Sequence, residues 1–363
     1  MIDPSTIKRW LLMIVSIGLC VGLVGCSELS YYAQATKGQW EMVTKRQPIQ
    51  TLINDPNQPE ELVNALTKAA AIRDFASSEL ALPDNKTFRY YSDLGRPYAV
   101  WNVIATPAFS LSPKTWCFPV AGCVAYKGYF SKSNAQALNR ELVEQSYDTF
   151  LYGVSAYSTL GWFSDPILNT FVHYDELSLA GLIFHELAHQ VVYIKDDSAF
   201  NEAFATALQI EGLKRWVKAT QDDTVFKEYM EHRTKNQRIT EMVLSFRDEL
   251  SLLYQRFDKG KATGEPLDTE TMAQAKQALF ESMKNQYQSM KQQGQGTRYY
   301  DWWFGLPLNN AHLLAVATYY RLVPGFSRMI AQSEDIPAFF HRVEELAKLD
   351  KPTRDKSLGL PSN

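Results

Sequence analysis

The sequence predicts an α+β fold, with strands confined to a mixed front half and helices filling the back half. Two patterns carry this reading. Aromatic, β-branched segments separated by turn residues run from about 88 to 157, and helical spacing is nearly continuous after Asp175. A third observation places a histidine-bearing apolar helix, around residues 181–190, at the junction of the halves.

Taken in order, residues 27–82 read as helical. Tyr31-Tyr32-Ala33-Gln34-Ala35 leads to Trp40 and Met42, and Pro59-Glu60-Glu61 opens a second amphipathic run. Pro83-Asp84-Asn85 breaks it. Residues 88–91 and 98–104 flank Ser92-Asp93-Leu94-Gly95-Arg96-Pro97 and are predicted to form a hairpin. Val124-Ala125-Tyr126 and Tyr129-Phe130 supply a further strand, residues 131–145 return to helical spacing, and 149–157 form another strand of what should be a small sheet. Helices are then expected at 175–195, 198–218, 222–257, 268–293, 308–323 and 335–348. The breaks between them include Lys195-Asp196-Asp197, Gly264-Glu265-Pro266, Gly305-Leu306-Pro307 and Val323-Pro324-Gly325.

At 363 residues and 45% hydrophobic, the chain can bury one large core or two modest ones. A net charge of −3 offers no electrostatic footprint for a nucleic-acid partner. No repeat or low-complexity segment is present, and oligomeric state is not legible. Lys8 and Arg9 precede an apolar run of 15 residues, Leu11–Gly25, too short for the roughly 20 that span a bilayer. Leu23-Val24-Gly25-Cys26 resembles the lipobox of bacterial lipoproteins. That resemblance implies removal of residues 1–25, lipidation of Cys26, and a membrane-anchored protein facing the periplasm. Ser27 favours the outer membrane by the same analogy. An uncut signal anchor, or a signal peptide with an incidental cysteine, is the alternative. The mature chain, 26–363, would then keep only Cys117 and Cys123, bracketing a Pro- and Gly-containing turn. In an oxidising compartment they would pair as a disulfide; two buried thiols are the other reading.

The chemistry lies in Phe184-His185-Glu186-Leu187-Ala188-His189-Gln190. Residues four apart share a helix face, so His185 and His189 can present nitrogens to one zinc ion, one per chain. Glu186, about 100° round the helix, faces water rather than metal and suits a general base and acid. A third ligand is required. Helix 175–195 ends near Ile194, a short polar turn follows, and Ser198 can cap the next helix. Antiparallel packing across so tight a turn brings Glu202 beside His189. Asp196 and Asp197 are the alternatives for that role. Thr206 and Gln209 fall on the Glu202 face and are candidate partners of the ligands.

His-Glu-Leu-Ala-His-Gln followed by Phe200-Asn201-Glu202-Ala203-Phe204-Ala205 resembles the gluzincins, whose large zinc aminopeptidases carry H-E-L-A-H-Q before an Asn-Glu-Gly-Phe-Ala-like segment. Lys195 stands where a metzincin would place its third histidine. Twelve residues separate His189 from Glu202, against 18 in the large aminopeptidases, so their connecting loop cannot be carried over. The chain is more similar still to a family of bacterial lipoproteins described as predicted aminopeptidases. That similarity spans nearly the whole mature chain, including Phe118–Phe130, Ala156–Pro166, the zinc segment and Leu308–Leu314. It implies a zinc metallopeptidase domain over 26–363, with an α+β part (27–174) and a helical part (175–363), acting on peptide substrates.

Other site residues are expected from general chemistry. Val154 to Gly161 is the candidate edge strand for pairing with substrate backbone. An oxyanion or substrate-binding donor is sought among Tyr299, Tyr300, Asn309, Asn310, His312, Tyr319 and Tyr320. Asp165 and Glu176 are the available carboxylates for an α-amino group. His173, His232 and His341 carry no motif. Three functions compete: an aminopeptidase, an envelope endopeptidase with the same chemistry in an open cleft, and a non-catalytic envelope-assembly lipoprotein with a structural zinc.

Overall fold

A computed structural model describes residues 30–118, 122–157, 159, 163–220, 223–263, 268–316 and 322–359. The lipobox with Cys26, the preceding segment, and Tyr319 and Tyr320 lie outside them. The observed class is α+β, with small sheets in the front half and helices behind. Among the described residues, no helix is long and apolar enough to cross a membrane.

Helix α1 (30–44) is followed by strand β1 (Gln47–Pro48), α2 (Ile49–Ile53) and α3 (Glu60–Ser78). Pro59 pre-sets the φ that starts α3, and Glu60 and Glu61 sit at the positive end of its dipole. Its inner face is Leu66, Ala69, Ile72 and Ala76, the 3- and 4-residue spacing of one helical stripe. Arg73 on that same helix is fully buried and forms no direct ion pair among the described residues. It is satisfied instead by donating to the carbonyls of Thr87 (2.8 Å), Pro83 (2.7 Å) and Asn85 (3.1 Å), which ties down the loop after α3.

Strand β2 (Tyr90–Ser92) does not close the expected hairpin with residues 98–104. It pairs antiparallel with β1 and parallel with β8 (Ile167–Leu168), while β3 (Val100–Pro107) belongs to a second sheet. The reason lies in Asn169, which follows β8. Its side chain accepts from Leu94 N–H (2.9 Å) and donates to Arg96 O (3.1 Å), so the connecting segment is pinned to β8 rather than folded back.

The second sheet has the order β6-β3-β7, all antiparallel, with β6 spanning Tyr126–Tyr129 and β7 spanning Tyr147–Val154. Helix α4 (Lys132–Glu144), capped by Ser131, covers one face through Val103, Ala105, Ala135 and Leu142. The other face buries Ile104 and Phe150 against Ala311. A short hairpin, β4 (Trp116–Phe118) with β5 (Gly122–Val124), places Cys117 opposite Cys123, and the two are joined in a disulfide.

The back half contains α5 (Glu176–Ala188), α6 (Ser198–Thr220), α7 (Asp223–Thr263), α8 (Thr269–Gln292), α9 (Arg298–Phe304), α10 (Asn310–Val316), α11 (Val323–Ala331), α12 (Ile336–Ala347) and α13 (Lys351–Ser357). Helix α5 stops about seven residues earlier than its apolar pattern predicts, and α9, α11 and α13 were not anticipated; α11 starts at the expected Val323-Pro324-Gly325 break, where Pro324 occupies the first turn of a helix. Of these, α9 and α13 are a bare seven residues and are nucleated by side-chain caps, Thr297 and Asp350, rather than by an amphipathic run. One large core joins α3, α5, α6, α11 and α12; a second lies between α7, α8, α9 and α10.

Candidate metal centre

Helix α5 begins at Asp175, whose carboxylate accepts from Ser178 N–H (2.9 Å). Leu177, Leu179, Ala180, Ile183, Phe184, Leu187 and Ala188 are buried on it, so nearly its whole circumference is fixed. Its C-terminal end is held by Gln190, which accepts from Asn85 Nδ2 (2.7 Å) and donates to Thr87 Oγ1 (3.3 Å). These are residues of the loop that Arg73 secures, and α3 thereby sets the end of the helix that carries His185 and His189.

The turn from α5 to α6 is built by two buried polar residues. Asn201 accepts from Ile194 N–H (2.8 Å) and donates to Ile194 O (2.7 Å), closing the turn on itself. Asp197 receives Phe200 N–H (3.4 Å) as a helix cap and is ion-paired with Arg354 (2.7 Å) and Lys351 (2.9 Å) of α13. Asp197 is therefore an anchor and not a third ligand. Asp196 has a φ of 61° and lies against Gly122 of β5, where an added Cβ would meet its Oδ1 at 2.6 Å. Further along, Gly212 lets α6 approach α5; a methyl there would stand 2.7 Å from Phe184.

This packing delivers Glu202 to the two histidines. His185 Nε2 lies 3.2 Å from Glu202 Oε2 and 3.2 Å from His189 Nε2, and Glu202 Oε1 lies 3.7 Å from His189 Nε2. His185, His189 and Glu202 form the one group of metal-ligating type found among the described residues, with donor atoms all within 4.8 Å. Four donors held tetrahedrally about 2.0–2.1 Å from zinc stand about 3.3–3.4 Å apart. The observed separations match that figure, so the donor set fits a single ion of this size. His189 is 7% exposed, against 18% for His185 and 29% for Glu202, which leaves the site open on the Glu202 side.

Burial opposes charge on His185, but the hydrogen bond to Glu202 and the charges of Glu186 and Glu202 outweigh it and hold the imidazole above its ordinary value. His189 is pushed down to about 4 by burial and by the neighbouring His185. Burial would raise Glu202, yet its hydrogen bond and attraction to His185 keep it below the usual carboxylate range.

Residues not anticipated from the sequence complete the surroundings. Tyr126, the first residue of edge strand β6, is pushed up to about 12 by burial and by the proximity of Tyr152, Glu202, Tyr193 and Tyr157. Its hydroxyl therefore stays protonated near neutrality and feels the charge of Glu202, although 42% of the residue is exposed. Tyr157 packs edge-on to Phe130 at the end of β6 (5.4 Å). A strand pattern and the family resemblance marked this segment, and neither says which residue faces a distant helix.

Of the donors sought in the C-terminal region, those among the described residues are engaged in other contacts. Tyr300 is buried and shares a hydrogen with Thr240 (2.6 Å), while the Tyr299 ring packs on Tyr300 and Trp302. Asn310 binds Tyr254, Ala108 O and Ser110 O, and Asn309 donates to Thr149 O (2.9 Å). His312 is buried against Phe150 and bonded to Asn309. These contacts tie α10 to β7 and α7 rather than to His185, His189 or Glu202, because the apolar sides of α9 and α10 belong to the second core. Asp165 and Glu176 are likewise committed, to Thr159 and to Trp216 with Lys68. The expected substrate strand, 154–161, has residues 158 and 160–161 outside the described set.

An α+β scaffold presents two histidines and a glutamate from adjoining helices as a three-donor group that could hold a metal ion. Residues 30–358 match the family model described as "Putative aminopeptidase", and the chain belongs to that family. Neither the curated proteins nor the solved structures compared with it include a match.

Proposed function

We propose that the protein is a zinc-dependent aminopeptidase of gluzincin type. The observation that carries this reading is the convergence of His185 Nε2, His189 Nε2 and the Glu202 carboxylate, with Glu186 adjacent on the same helix, in a member of an aminopeptidase family. The three donors would hold the ion. Bound zinc supplies Lewis acidity, polarising a carbonyl and lowering the pKa of water. Glu186 takes the proton from the attacking water and returns it to the departing amine nitrogen. Tyr126 donates its hydroxyl hydrogen to the carbonyl oxygen as negative charge grows there. Edge strand β6, which starts at Tyr126, is the side on which an extended peptide adds as a further strand. The lipobox and the disulfide are consistent with a lipid-anchored enzyme facing the periplasm, and that location is part of the proposal.

Glu186→Gln should keep zinc bound, by metal analysis, while hydrolysis of an unblocked peptide falls by about 100-fold or more. Equal rates in variant and parent would overturn the mechanism. Cleavage of N-acetylated peptides as readily as free ones would replace aminopeptidase with endopeptidase.

A further inference from the structure

Helix α1 has two faces of different character. Its inner face is seated on β6 and on the disulfide hairpin. Tyr31 stacks on Phe118 (5.6 Å) and meets Tyr129 edge-on (5.3 Å), and Gln34 Oε1 accepts from Phe130 N–H (3.0 Å). Gly38 lies on the Phe130 ring, where an added Cβ would stand 2.0 Å from a ring carbon, and Met42 is buried. At about 100° per residue, Trp40 follows Tyr31 by about two and a half turns, which puts it on the opposite side of the helix.

That outer face is exposed. Tyr32, Thr36, Trp40 and Thr44 succeed one another at four-residue spacing, with Ala33 and Lys37 beside them, and none of these is buried. Trp40 is 68% exposed, more than any other large apolar side chain among the described residues, and Tyr32 is 42% exposed. Lys37 forms no ion pair among the described residues. Glu41, the one acid of α1, is committed to Arg96 (2.7 Å) and Lys45 (2.8 Å). The outer face is therefore aromatic and cationic, with no unpaired acid.

Indole and phenol rings flanked by lysine suit the headgroup level of a bilayer. There the ring meets acyl chains, its N–H or O–H stays wet, and the ammonium meets phosphate. The place of the helix in the chain is an independent argument. Cys26 precedes Ser30 by four residues, a reach of at most about 14 Å. A lipid on Cys26 would hold the first turn of α1 within that distance of the bilayer.

We propose that the outer face of α1, through Tyr32, Lys37 and Trp40, seats on the phospholipid surface and fixes the orientation of the protein on its membrane. The proposal rests on the lipid-anchored location advanced above. Acyl chains at Cys26 supply the affinity, and the helix supplies the angle. A single tether leaves the body free to rotate, whereas a face held at Tyr32 and at Trp40, about 12 Å apart along the helix, does not.

In the test, the full chain is purified in detergent and checked for lipid on Cys26 by mass spectrometry. It is then reconstituted in vesicles of phosphatidylethanolamine and phosphatidylglycerol, with or without brominated acyl chains, which quench indoles at the headgroup–acyl boundary. Trp40→Ala and Trp302→Ala identify the emission of each indole; both side chains are more than half exposed, so neither change opens a core. Emission from Trp40 should fall at least about twofold on bromination, while that from Trp302 on α9 stays unchanged. The Tyr32→Ser/Lys37→Glu double variant should lose about half of that quenching or more. Unquenched Trp40 in lipidated, vesicle-bound protein would overturn the proposal, as would quenching of Trp302 in its place. Loss of an oligomer in detergent on Trp40→Ala, without quenching in vesicles, would overturn it in favour of an interface between copies. Absence of lipid on Cys26 would remove the anchored location, and the proposal with it.

Discussion

Replacing Glu202 with Gln tests the assembly of the site at its one anionic donor. Gln is nearly isosteric, so the packing of α6 on α5 is kept while the charge is lost. Both Glu202 oxygens lie within 3.7 Å of a histidine Nε2, which makes this side chain a direct member of the donor set. Removing partners one step further from a metal costs 10–100-fold in affinity, so losing a donor should cost at least about 100-fold, or about 2.8 kcal/mol. The assay is the zinc-induced rise in melting temperature at fixed ion concentration. With zinc at about 1,000 times the parent Kd, the parent gains about 4.1 kcal/mol, and a 100-fold weaker variant gains about 1.4 kcal/mol. A chain of 363 residues has an unfolding entropy of about 0.76 kcal/mol/K, so these gains correspond to shifts of about 5 °C and about 2 °C. Equal shifts in parent and variant would refute the assignment of Glu202 as a donor.

Acidification should weaken zinc binding. His185 is held above its ordinary value, so a proton competes with the ion as pH falls through that raised value, whereas His189, at about 4, contributes no proton near neutrality. Calorimetry in buffers of different ionisation enthalpy should read a proton release per zinc that grows as pH falls and does not exceed about one, and release of two would contradict it. Asp197→Asn should destabilise the fold by about 3 kcal/mol, because it leaves the buried Arg354 cation without its partner. The Asp197 carboxyl, which burial would raise, is held low by Arg354 and Lys351. Its contribution is therefore present above the unfolded carboxylate pKa and lost as pH falls through the lowered folded value. Urea melts of parent and variant at neutral and acid pH check both points, and a difference that did not shrink on acidification would argue against the pair. Phe204→Ala should cost about 3–5 kcal/mol in the same assay. The ring is fully buried against Phe326, Phe339 and Phe340, and a loss under about 1 kcal/mol would show that this cluster collapses to fill the space.

Local regularities were legible from the residues alone. The His185/His189 spacing is a property of the helical period, and the position of Glu202 follows from a connection too short to permit any packing but antiparallel. The long helices of the back half were visible for the same reason. A seven-residue helix such as α9 or α13 offers too few turns for a periodic signal, so only its cap betrays it.

What the sequence by itself determined is therefore the composition of one helix and its neighbour: two imidazoles and a carboxylate able to meet, with the Glu186 carboxylate next to them in the chain. The tertiary structure alone decided what surrounds them. Tyr126 rather than Tyr299, Tyr300 or His312 feels the charge of Glu202, Asp197 serves as an anchor for α13, and Tyr229 reaches Gln209 from a third helix. Those pairings join segments 20 to 157 residues apart. No local period encodes them; they arise where buried apolar faces lock the elements together and carry the polar side chains with them.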